Sequence, residues 1–272
     1  MGLTLALLAD VHGNVAALDA ALKDIRRHAP DRILVTGDLV LNGPRPAEVV
    51  ERVRQLDAEG ALVVQGNTDV AVADFDYAAA FPWLDEVPAA QRAAAEWANE
   101  QLSDEQLDYL RRLPSERRLW VADTLVLLCH GSPGSQTNGL PVDLDPSVTV
   151  ERATRTDARI ICCGHTHVAD SRELGRKLIC NPGSCGYAFD GDPQACWALI
   201  TIDDGADRAD GTEDADGGDG ADGADGGEGV PPKVELFRST YDSQAVAEEV
   251  SARGLAGDVY RAATIRTGRF IR

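Results

Sequence analysis

Seven side chains of types that ligate divalent metals recur along this chain in short motifs. They are Asp10 and His12 in ADVHGN, Asp38 in TGD, Asn67 in QGN, His130 in CHG, and His165 and His167 in GHTH. Each motif closes an apolar run. The chain has only five histidines. His28 is the odd one: it falls in the last turn of a helical pattern, the place of a surface or capping residue. A single histidine after a strand is ordinarily structural; four in that position are not explained that way. Imidazole, carboxylate and amide oxygen together suit divalent Mn, Fe, Co, Ni or Zn. Seven ligands exceed the four of a tetrahedral ion. They suit two ions that share a bridging carboxylate. Two metals about 3.5–4 Å apart can clamp a phosphate and steady both the attacking and the leaving oxygen.

Side chains this far apart in sequence meet only if the elements before them are neighbours. LTLALLAD reads as a buried strand, and VAALDAALKDIRRHA as a helix with Val15, Leu18, Leu22 and Ile25 on one face. DRILVTGD, the helix RPAEVVERVRQLDAEG and the strand ALVVQGN complete a βαβαβ order, which implies parallel strands. Residues from about 70 to 118 read as a helical insertion, with a capping box at Ser103 and Gln106. DTLVLLCHG, DARIICCGHTH, KLICNPGS and ACWALITID then read as a second sheet. VELFRST is expected to pair with the strand at 196–202, and SQAVAEEVSARG to form a C-terminal helix. Ligands of α/β sheets bind beyond the carboxyl ends of the strands, where every one of the seven side chains falls.

The formal net charge of the 272 residues is −19. Residues 203–229 hold eleven acidic groups and Arg208, a net of −10, with no large apolar side chain. This Gly/Asp-rich run is expected to be a disordered loop within one domain spanning 1–272. So acidic a chain is a poor bulk binder of nucleic acid. Twenty-three Arg against three Lys, with many acids, resembles proteins of salt-loving microbes. No run approaches the roughly 20 apolar residues of a membrane span, and the apolar start lacks a basic flank, so a cytoplasmic protein is expected. An oligomer is compatible with all of this. The six cysteines lie in apolar runs without a CxxC pair and read as buried thiols.

The ordered set DxH, GD, GN, H, GHxH resembles the calcineurin-like metallophosphoesterase superfamily over residues 8–187. ADVHGN and NPGS at 181–184 look most like its small bacterial and archaeal phosphodiesterase branch. The resemblance implies an α/β fold, a four-layer αββα sandwich of two mixed sheets. It implies that Asp10, His12 and His167 hold one metal and Asn67, His130 and His165 a second, with Asp38 as the bridge. A metal-bridging hydroxide would attack phosphorus, and Asn67 would also orient the phosphate. The substrate would be a small phosphoester or a nucleotide-like molecule.

Two departures stand out. Many members carry a general-acid histidine after the GN asparagine, where this chain has Thr68, which cannot donate a proton as imidazolium does. The stretch GDLVLNGP has Asn42 where the protein phosphatases carry the arginine of GDxxDRG, and nearby Arg45 reads as a helix-start surface residue. Asn14 either caps the first helix or contacts substrate. Asn181 either forms a turn or edges the site. Trp83, Trp97, Trp120 and Trp197 are expected in the core. The rival to an enzyme is a metal-binding scaffold for protein partners, the role of a retromer subunit with this fold.

Overall fold

The computed structural model describes residues 2–203 and 231–272. Among these, two mixed five-stranded sheets lie face to face. The first has the order β10-β9-β1-β2-β3 and the second β4-β5-β6-β8-β7. In the first, β1 (Leu3–Leu8), β2 (Arg32–Val35) and the short β3 (Leu62–Val63) are parallel, as the βαβαβ pattern predicts. β9 (Ala195–Ile202) runs antiparallel to β1, and β10 (Lys233–Ser239) pairs on its far side.

This placement corrects one expectation. ACWALITID belongs to the first sheet, not to the second. Leu5, Leu7, Ala198, Ile200 and Ile202 face the second sheet from one continuous surface. The second sheet is built from β4 (Glu116–Val121), β5 (Thr124–Cys129), β6 (Ile160–Cys162), β7 (Ala169–Leu174) and β8 (Lys177–Pro182). Val126, Leu128, Ile160, Cys162, Leu178 and Cys180 meet the first sheet to form the inter-sheet core. The alternation that puts these inward sends Leu127, Cys129, Ile161 and Ile179 outward, where they pack with Ala153.

Helices cover the outer faces. α1 (Val15–His28) and α2 (Pro46–Ala58) bury Leu18, Leu22, Ile25, Val49, Val50 and Val53 on the first sheet. The helical block contains α3 (Asn67–Ala73), α4 (Tyr77–Ala80), α5 (Ala89–Glu100) and α6 (Asp104–Arg112). The Ser103–Gln106 capping box opens α6. The block stops short of residue 118, because β4 begins at Glu116. α7 (Pro146–Ala153) covers the second sheet. α8 (Ser243–Arg253) is the expected helix, but α9 (Asp258–Thr267) follows it. The two pack together with Tyr187 through Val246, Val250 and Ile265. Gly254 at the C-cap of α8 and Gly257 at the N-cap of α9, both at positive φ, mark the break between them.

All six cysteines are free and buried, as expected. Trp197 is core, and Trp97 is half-buried under Arg253. Trp83 and Trp120 are 56% and 70% exposed, so neither belongs to the core. His28 is exposed and lies edge-on to Trp197 and Phe237. Arg45 sits at the surface at the start of α2 and pairs with Glu249. The acidic run lies, apart from Asp203, outside the described residues.

Candidate metal centre

The seven candidate ligands converge beyond the carboxyl ends of β1, β2, β3, β5 and β6. Six are almost wholly buried, and His165 is half-buried. Five of them, Asp10, His12, Asp38, His165 and His167, have φ between 50° and 69°. Non-glycine residues rarely adopt this left-handed region, and each such residue costs on the order of 1–3 kcal/mol. The surrounding fold must therefore impose it. Part of the cause is the tight stacking of the loops. A side-chain carbon on Gly66 would collide with the Asp38 carboxylate and backbone. One on Gly164 would lie 2.9 Å from Asp10 Oδ2. The glycines of GN and GHTH are there because the loops touch.

Asp38 stands between two groups. Its Oδ2 is 3.5 Å from His12 Nε2, and its Oδ1 is 3.4 Å from His130 Nε2. On the first side, His12 Nε2 and His167 Nε2 face each other at 3.2 Å, with Asp10 Oδ1 3.8 Å from His167. The ligand atoms of Asp10, His12, Asp38 and His167 all lie within 4.8 Å of one another. On the second side, Asn67 Oδ1 is 3.0 Å from both His130 Nε2 and His165 Nδ1.

The outward ring nitrogens are held by backbone. His130 Nδ1 donates to Thr36 O at 2.7 Å and His167 Nδ1 to Tyr187 O at 2.5 Å. The His165 ring donates to the backbone of Thr137. The His12 ring donates to the backbone of Val40 and Leu41. Such outer bonds set the tautomer and leave a lone pair aimed inward.

The electrostatics agree. Burial lowers the pKa of His12, His165 (to about 4) and His167, so these rings are neutral, as metal ligands must be. Burial also opposes charge on Asp38, but the charge and hydrogen bonds of His130, then the charge of His12, outweigh it and hold its carboxyl well below the usual range. His130 is pushed up to about 9; burial works against this, and Asp38 overrides it. Asp10 is pushed up to about 8 by burial, aided by the Asp38 charge. The metal-free cluster thus keeps protons on Asp10 and His130, which divalent cations would displace, beside the neutral rings of His12, His165 and His167.

Asn14 caps α1 by accepting from Ala17 N, while its amide donates to Gly186 O and Tyr241 Oη. Capping is therefore the one of its two expected roles seen here, and it does not line the pocket. Asn181 forms the turn and braces the GHTH loop without lining the pocket. Its amide donates to Gly164 O and Thr166 Oγ1, and its oxygen accepts from Gly183 N. Thr68 lines the pocket, with its hydroxyl turned to Val40 O at 3.2 Å.

The sequence reading gives no role to Asp69, which proves central. Its buried carboxylate accepts from Leu39 N, Val40 N and Gly66 N, tying the Asp38 loop to the Asn67 loop. Its place two residues after Asn67 is the only signal. Ser184 is another: its hydroxyl donates to Asp10 O and accepts from Tyr187 N.

The centre opens into a cavity of about 340 Å³. Phe81 and Trp83 come to it from the helical block, and Tyr260, Arg261 and Phe270 from α9 and the residues after it.

Residues 3–205 match the model of the calcineurin-like phosphoesterase superfamily domain. An uncharacterized protein of Methanocaldococcus jannaschii is 27% identical over 211 residues, 72% of this chain and 82% of that protein. The crystal structure of a metallophosphoesterase from Sphaerobacter thermophilus is similar with a TM-score of 0.68 and 26% identity, over 98% of this chain and 100% of that one. A hypothetical protein from Pyrococcus horikoshii shares the fold with a TM-score of 0.76 at 20% identity, over 98% of both chains.

Proposed function

The chain belongs to the calcineurin-like phosphoesterase superfamily, and from that premise we propose that it is a dinuclear metal-dependent phosphodiester hydrolase. Asp10, His12 and His167 hold one ion, Asn67, His130 and His165 the second, and Asp38 is shared. The observation that carries this reading is Asp38 itself, with one oxygen toward His12 and the other toward His130. Divalent ions there supply positive charge to the phosphoryl transition state and acidify water enough to yield a nucleophile at neutral pH. Hydrolysis forms one new P–O bond from water and breaks one ester P–O bond, and the proton released ends on the leaving oxygen. Asn67 also orients the phosphate.

Thr68 bears on the leaving group. Its hydroxyl is engaged with Val40 O and supplies no acid to the leaving group, so the enzyme suits esters whose leaving oxygen needs little protonation. Six buried thiols with pKa values raised by burial suit a reducing cytoplasm. Among the described residues, no helix is long and apolar enough to cross a membrane. The acid-rich, lysine-poor composition suits a high-salt habitat.

A titration of the metal-free protein with Mn, Co, Ni or Zn tests the reading, using an aryl phosphodiester beside the matching aryl phosphomonoester. Metal-dependent hydrolysis with the diester preferred is expected. Hydrolysis of neither ester with any metal refutes the reading.

A further inference from the structure

The chain has four Trp, five Tyr and five Phe. Six of these fourteen line the one cavity above the metal centre: Phe81, Trp83, Tyr187, Phe189, Tyr260 and Phe270. Core packing does not explain that concentration, since Trp83, Tyr260 and Phe270 are about half exposed. Large apolar side chains left open at a site mark a surface that something covers.

The rings form two shelves, one on each side of Asp38. The Trp83 ring is 6.1 Å from that of His165, edge to face, with Phe81 5.8 Å behind it. On the other side Phe189 stacks on His167 at 4.1 Å, and Phe270 lies 4.8 Å from Phe189. His165 and His167 belong to opposite halves of the centre. Each half therefore has its own aromatic shelf.

Cations are scarce by contrast. Arg261 and Arg272 are the arginines lining the cavity, and no lysine lines it. The Arg261 guanidinium is spent on Asp258 and on the carbonyls of Ala256 and Ala90. Arg272 lies over the Phe270 ring. A polyphosphate needs more free cations than this, whereas a single diester phosphate is met by the metal centre alone. A phosphodiester also extends an ester group to each side of phosphorus, as the shelves do.

Building on the phosphodiesterase reading, we infer that the site takes phosphodiesters with a flat aromatic group on each side, one ring on Trp83 and the other on Phe270 and Phe189. Tyr260 and Phe270 lie beyond residue 205, where the family match ends, so the second shelf is completed by the C-terminal segment.

The test is equilibrium binding of diphenyl phosphate and dimethyl phosphate to the Mn-loaded full chain. Stacking of one ring on an aromatic side chain is worth roughly 5- to 150-fold in affinity. Diphenyl phosphate is expected to bind tighter than dimethyl phosphate by at least about that factor. Trp83→Ala and Phe270→Ala are each expected to cut the preference about 5-fold or more, and Trp83→Phe to keep most of it. A third probe, thymidylyl-thymidine, separates two sources of the ring. If the alanine variants weaken it as they weaken diphenyl phosphate, nucleobases occupy the shelves; if they leave it unchanged, the rings are simple aryl groups. Equal binding of the two simple diesters, or a preference that survives both alanine variants, overturns the inference. A preference that depends on these residues, without hydrolysis of any diester, upholds the shelves and refutes the phosphodiesterase reading instead.

Discussion

The two halves of the metal centre are not equivalent. The half around His12 and His167 has two carboxylates, Asp10 and Asp38, and its ligand atoms lie within 4.8 Å of one another. Its Asp10, His12 and His167 are all buried, and of these His12 and His167 reach the cavity. The half around His130 has only the shared Asp38 as an anion. Its third ligand is the Asn67 amide, a weaker donor, and its His165 is half-buried beside the exposed Trp83. Divalent ions favour the site with more anionic ligands and less water. On the proposed reading the first ion would therefore be held more tightly than the second.

The largest effect expected is that of Asp38→Asn. Losing an outer partner of a metal ligand already costs 10- to 100-fold. Removing the shared carboxylate should cost more than about 100-fold in diester hydrolysis and abolish paired metal binding, measured by metal analysis after dialysis. Next is chelation of the loaded protein. At a metal concentration about 100 times Kd, binding adds about 2.7 kcal/mol. For a chain of this size its removal should lower Tm by roughly 5–10 °C in calorimetry.

A single-ligand pair sharpens the comparison directly. Asn67→Ala should erase only the weaker step of a calorimetric metal titration, and Asp10→Asn only the tighter one. Loss of both steps in either variant would break the distinction between the halves. Thr68→His should raise turnover of alkyl diesters, which have poor leaving groups, by roughly 10²-fold or more if imidazolium supplies the missing proton. Aryl diesters should change little.

The smallest effect concerns pH. In the metal-free protein Asp69 is pushed up to about 7 and Asp10 to about 8, each mainly by burial, and His130 is raised to about 9. A pKa raised in the folded state stabilises at low pH and is lost as pH climbs through it. All three groups act in the same direction, so Tm of the metal-free protein should fall between about pH 6.5 and 9. The loaded protein should lack this fall, because metal affinity rises as ligands deprotonate. Asp69→Asn should flatten the metal-free slope in part.

The parallel strands and the convergence of the seven side chains were legible in the sequence, because apolar runs ending in Gly-Asp, Gly-Asn or Gly-His mark strand ends. Much of the rest was not. The strand ACWALITID carries no label of which sheet it joins; antiparallel pairing to β1 is settled by the inter-sheet core. Trp83 sits in an apolar stretch, FPWL, that looks like core, yet it opens onto the cavity. Asp69 reads as an ordinary helix-start acid. Its bonds to Leu39 and Val40 span about thirty residues and follow from the tertiary fold alone. The left-handed backbone at five ligands is likewise imposed by loops that touch only after folding.

The central claim is that two ions share Asp38. The electron paramagnetic resonance spectrum of the protein loaded with two equivalents of Mn tests it most directly, because ions joined through a carboxylate are magnetically coupled. The spectrum of a coupled pair is expected, replaced in Asp38→Asn by that of isolated ions. The spectrum of isolated ions in the unmodified protein at two bound Mn per chain would contradict it.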